Sequence, residues 1–72
     1  MDIDIKDIVK LSNNEEYTVE DVIIMDNNKY LLLKKNNEAK LTFVKVGIEN
    51  NKYFFTDLSD SEYKKVLDKI SK

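Results

Sequence analysis

Carboxylates, lysines and a few serines are the only side chains here with much chemistry to offer, because the 72-residue chain contains no histidine and no cysteine. The commonest general base and the strongest nucleophile are therefore missing. A serine–lysine or paired-carboxylate mechanism would have to be built from Ser12, Ser59, Ser61 and the acids. Ser59 and Ser61 are better explained as the start of a helix. One glycine, Gly47, cannot supply a nucleophile elbow, a phosphate-cradling loop or a dinucleotide fingerprint. The expectation is a protein without an active site and without a cofactor.

Metal chemistry fares no better. Asp2-x-Asp4-x-x-Asp7 opens like a calcium loop, but the sixth and twelfth places hold Asp7 and Asn13, where an EF-hand needs glycine and glutamate. An acidic, solvated arm explains the pattern more simply. Glu15-Glu16 and Glu20-Asp21 read as surface charges on a hairpin, and no metal site is expected. Without cysteine there is neither a disulfide nor a zinc–thiolate site.

Lys52-Tyr53-Phe54-Phe55, with Lys45 on a neighbouring strand, mixes cations and aromatics as sheets that stack single-stranded bases do. Net charge argues against that use: the chain carries −2, with twelve lysines and no arginine. No run of apolar residues approaches the roughly 18 needed to cross a bilayer. The acidic start lacks the basic and apolar regions of a secretory signal. These exclusions lead to a cytoplasmic address with no membrane partner. Hydrophobic residues at 42% and charged residues at 36% describe a folding chain. At this length it is expected to form one domain with a narrow stability margin.

The elements that must hold any site follow from the spacing. Asn-Asn pairs at 13–14, 27–28, 36–37 and 50–51 each separate apolar-rich stretches. Asparagine enters the left-handed backbone region more readily than other non-glycine residues, so the pairs replace the missing Gly and Pro as turn markers. Between them the sequence predicts strands near 7–11, 17–25, 29–34, 40–48 and 53–57. The first segment also fits helical spacing. In the second, Tyr17, Val19, Ile23 and Met25 share one parity, with Asp21 as the exception. Gly47 inside the fourth marks a bulge or a close approach.

The period changes at the C-terminus. Ser59-Asp60-Ser61-Glu62 is a capping box, and Tyr63, Val66, Leu67 and Ile70 recur at helical spacing. Acids in the first turn, with Lys69 and Lys72 near the end, suit the helix dipole. A helix over about 60–71 is predicted to cover one face of the sheet. The fold class is thus α+β: a small, curved antiparallel meander of four to five strands, tending towards a barrel, with one C-terminal helix.

One helix covers only one face, yet apolar residues occupy both. Either the sheet curls and buries the second face itself, or that face meets a partner. Tyr30, Leu32, Tyr53 and Phe55 are the candidate partner-binding residues of that face. Edge strands offer a second docking mode, by strand addition.

The stretches Ile8-Val9-Lys10-Leu11, Glu16-Tyr17-Thr18-Val19, Asp26-Asn27-Asn28-Lys29-Tyr30-Leu31-Leu32-Leu33 and Asp60-Ser61-Glu62-Tyr63-Lys64-Lys65-Val66-Leu67 occur in the order and setting of the YrzB-like family. The chain resembles these small bacterial proteins of unknown function over most of its length. The resemblance implies the same meander-plus-helix fold and carries no site residues. The expected role is a non-catalytic protein-binding or regulatory domain of bacterial or mobile-element origin. The alternatives are a phage-type inhibitor of a host protein, a single-stranded nucleic-acid-binding sheet, and a structural homodimer.

Overall fold

In the computed structural model, which describes residues 3–11, 13–36 and 38–71, five strands precede one helix. They are β1 (Ile8–Lys10), β2 (Glu16–Met25), β3 (Asn28–Lys35), β4 (Leu41–Glu49), β5 (Lys52–Thr56) and α1 (Asp60–Ile70). The first segment is a strand, which settles its ambiguous spacing. Met1, Asp2, Ser12, Asn37 and Lys72 lie outside the described residues. The strands form one sheet in the order β1-β2-β3-β4-β5, every neighbouring pair antiparallel. This is an α+β fold, a curled half-barrel backed by a helix.

Two asparagine-rich turns set the hairpins. Asp26 and Asn27 both have positive φ, 53° and 65°, between the paired residues Met25 and Asn28. Asn50 and Asn51, at 52° and 64°, do the same between Glu49 and Lys52. Two consecutive left-handed residues define the type I′ turn, whose twist matches that of the strands it joins. The first turn sits one residue earlier than the Asn-Asn pair suggests, and Asn28 already belongs to β3.

A bulge explains the odd parity of β2. Val19 pairs with Leu33 and Asp21 with Leu32, so Glu20 is the extra residue. Beyond it the pleat is reset. Tyr17, Val19 and Val22 therefore share the concave face, while Asp21, Ile23 and Met25 turn to the other.

Each face has its own core. On the concave face Ile3, Val9, Tyr17, Val19, Leu31, Leu33 and Val44 are buried together, with Leu11, Val22, Val46 and Phe55 packed at the margin. On the convex face Ile23, Tyr30 and Val66 form a second cluster flanked by Met25, Phe43 and Leu58. Curling buries much of the concave face, and α1 covers the middle of the convex one.

The helix begins as its capping box requires. The Ser59 hydroxyl accepts the Glu62 N–H at 3.2 Å and the Glu62 carboxylate accepts the Ser59 N–H at 3.0 Å. Val66 is the one helix residue fully buried among those described. Tyr63 meets Phe43 edge-on at 5.5 Å between centroids. The rest of the predicted stripe is only partly used, since Tyr63, Leu67 and Ile70 remain 46%, 37% and 38% exposed.

Gly47 marks a close approach by a ring. It pairs with Phe54, and a Cβ on Gly47 would fall inside the Phe54 ring. The missing side chain lets the aromatic lie flat across the strand.

Candidate functional site

The four residues singled out from the sequence do not share a face. Tyr30 and Leu32 lie on the convex side, with Phe43 opposite Leu32. Phe55 pairs with Val46, which pairs with Lys29, placing Phe55 and Tyr53 on the concave side with Leu31 and Leu33. Alternation is reliable within a strand, but register between strands decides which alternating sets combine.

Tyr30 is also no surface residue. It is 2% exposed, beneath α1, and its hydroxyl donates to the Glu62 carboxylate at 3.1 Å. Burial, then the Glu62 carboxylate, pushes its ionisation above 10. Leu32 is half-buried between β2 and β4. Tyr30 is therefore part of the fold, while Leu32 is as accessible as Phe55. Tyr53, at 38% exposure, and half-buried Phe55 remain accessible.

The basic–aromatic strip is divided as well. Lys52 and Phe54 alternate with Tyr53 and Phe55, so one pair faces outward and the other into the curl. Lys45 is held by Glu62 at 3.0 Å, which raises its pKa mainly through that hydrogen bond. Three of the four acids in the pairs have structural roles. Glu15 bonds Lys35 at 2.8 Å, Glu20 is the bulge residue, and Asp21 accepts the Val22 N–H at 2.8 Å. Asp4 and Asp7 close a turn, in which the Asp7 carboxylate accepts the Asp4 N–H at 2.9 Å. Among the described residues, no three potential metal ligands gather.

What the fold does assemble is a cleft between its two edge strands. Lys10 and Leu11 line one wall and Tyr53 to Asp57 the other, with Val44 at the floor, around a volume of about 320 Å³. The walls come from opposite ends of the sheet order, so the cleft is the mouth of the unclosed barrel. Its lining is mostly aliphatic and aromatic, and its polar members among the described residues are Lys10, Asp57, Thr56 and the Tyr53 hydroxyl. Such a site can bury an apolar group and offer main-chain hydrogen bonds.

Free main-chain groups border the cleft. In a two-residue hairpin the closing pair, Glu49–Lys52, exchanges hydrogen bonds. Alternation then turns the N–H and C=O of Tyr53 and Phe55 away from β4, towards the cleft. On the far side the Val19 N–H bonds the Asp7 carbonyl at 2.8 Å and the Leu11 N–H bonds the Glu15 carbonyl at 3.2 Å. Odd-numbered residues there face β2, and Ile8 and Lys10 present their main chain to the opening.

Leu11, Val44 and Lys10 belong to this site and were not legible as such. Leu11 ends a short segment, Val44 sits mid-strand, and only the curl brings them together. No family model matches the chain, and neither a curated protein nor a solved structure matches it at a significant level.

Proposed function

We propose that the chain is a small non-catalytic protein-binding domain, regulatory in effect, which takes its partner at the mouth of the half-barrel. The observation that carries this reading is the incomplete cover of the concave core. Leu11, Tyr53 and Phe55 line a largely apolar cleft over Val44, beside two edge strands that pair with no further strand among the described residues. Free edges are normally blunted, because they pair with other chains. The YrzB-like pattern is what supports a bacterial or mobile-element source. No helix among the described residues is long and apolar enough to cross a membrane.

Tyr53 is exposed enough to be changed without loss of the core. Affinity capture with the wild type beside a folded Tyr53→Ser variant tests the reading. A protein retained by the first and lost by the second is then purified and titrated against labelled wild type. Amide shifts confined to Leu11, Val44 and β5 support binding at the mouth. Shifts confined to the α1 face, or retention unchanged by the substitution, contradict it.

A further inference from the structure

We propose that the mouth of the half-barrel receives one extended segment of a partner protein as a sixth strand, built of alternating apolar and acidic residues. This deepens the protein-binding reading and rests on it. The argument begins with strand direction. Five strands that alternate leave β1 and β5 pointing the same way. A single strand running opposite to them is antiparallel to both, and closing a barrel removes both free edges at once. The outward main-chain groups of Ile8 and Lys10 on one side, and of Tyr53 and Phe55 on the other, are placed to receive it.

The two edges are not protected alike. β1 is three residues long and follows a turn in which Lys6 has φ 75°, which blunts it. β5 has five residues, no proline, no glycine and no bulge, and it carries Tyr53, Phe54 and Phe55 in succession. It is an open template for strand pairing.

Side-chain chemistry defines the segment. Residues facing inward would lie over Val44, between Leu11 and Phe55, and must be apolar. Residues facing outward would lie on the convex side, where Lys10 of β1 lines the cleft and Lys52 stands at the start of β5, both exposed. Each stands across the ladder from a carboxylate on the same face, Glu16 and Glu49, but neither lysine forms an ion pair within 4.0 Å among the described residues. Carboxylates at the outward positions complement them. Asp57, just past β5, is the one acid among the described residues that line the cleft, and it favours a cation where the segment enters. A second copy of the chain fits less well. Its β5 would arrive backed by its own β4, on the side where β1 stands.

The probe is a synthetic peptide, Lys-Val-Glu-Val-Glu-Val-Glu with blocked ends, titrated into labelled full-length chain by amide NMR. Its controls are the same peptide with lysine in place of glutamate and one with the valines grouped together. The expected result is binding by about 1 mM, about tenfold tighter than either control, with the amides of Ile8, Lys10, Tyr53 and Phe55 becoming protected. Tyr53→Pro removes one outward donor without touching the ladder to β4, and abolishes that binding while the rest of the spectrum persists. Tyr53→Ser, which keeps the N–H, retains part of it.

No shifts at about 1 mM, equal binding of the lysine peptide, or binding undiminished in a folded Tyr53→Pro variant each overturns strand insertion. A free chain at twice 8.5 kDa with Tyr53 and Phe55 already protected also overturns it, because its own copy then fills the mouth. A captured partner lost on Tyr53→Ser but kept on Tyr53→Pro leaves the binding domain standing and removes only the sixth strand.

Discussion

The phenol O–H of Tyr30 donates to the Glu62 carboxylate across 3.1 Å, tying the buried middle of β3 to the first turn of α1. The same carboxylate accepts the Ser59 N–H and meets Lys45 at 3.0 Å. One side chain thus caps the helix and fastens it to two strands. Few apolar contacts do the same work, since Val66 alone on the helix is fully buried among the described residues.

Acid should loosen this attachment. The Ser59 N–H first, then Lys45, hold the Glu62 carboxyl down from 4.5 to about 2. With the folded value below the unfolded one, the stabilisation is complete above about pH 4.5 and is lost as pH falls towards 2. Thermal midpoints from neutral pH down to about pH 2 should fall more steeply for the wild type than for Glu62→Gln. Glu62→Gln should melt lower at neutral pH, having lost the pairing with Lys45.

Tyr30 should ionise late in an alkaline titration. Burial and then the Glu62 carboxylate raise its pKa above 10. A raised folded value means the stabilisation is complete below about pH 10 and disappears as pH rises through the folded value. Absorbance near 295 nm should show a late phenol ionisation in step with unfolding. Tyr30→Phe should remove that late component.

Gly47 and Phe54 form a coupled pair. Gly47→Ala pushes a methyl against the far end of the exposed Phe54 ring, which must swing aside, and should cost about 1 kcal/mol or less, lowering the melting point by a few degrees. In a Phe54→Ala background the same change should be close to neutral, because nothing remains to collide with. A double-mutant cycle by thermal denaturation measures the coupling directly.

Much of this fold is legible in the residues. Alternation, the Asn-Asn punctuation and the Ser59–Glu62 box locate four strands and the helix, while the first segment, which fits helical spacing as well, is left open. Asp21, out of step in β2, records the bulge at Glu20, although parity alone does not say which residue is extra. The candidate surface was less legible. Tyr30 and Leu32 alternate correctly within β3, and Tyr53 and Phe55 within β5, but pairing through β4 sends the two sets to opposite faces. That register depends on the turn at Asn50-Asn51 and on which residues close it. The cleft is harder still to read, since Leu11 and Phe55 become neighbours only through the curl of the whole sheet.

The type I′ turns give a test of the punctuation. Asn51 holds φ 64°, where glycine is free of strain and alanine is not. Asn51→Gly should stabilise the chain by about 0.5 kcal/mol, and Asn51→Ala should destabilise it by about 1 kcal/mol. Chemical denaturation of the two variants against wild type reads both signs.

The open mouth between β1 and β5 is tested most directly by amide hydrogen exchange on the free chain, residue by residue. Tyr53, Phe55, Ile8 and Lys10 should exchange quickly, while Phe54 and the core amides of Leu31 and Leu33 exchange slowly. Strong protection of Tyr53 and Phe55 in the free, monomeric chain would mean that the barrel closes on itself, and would contradict a mouth left open for a partner.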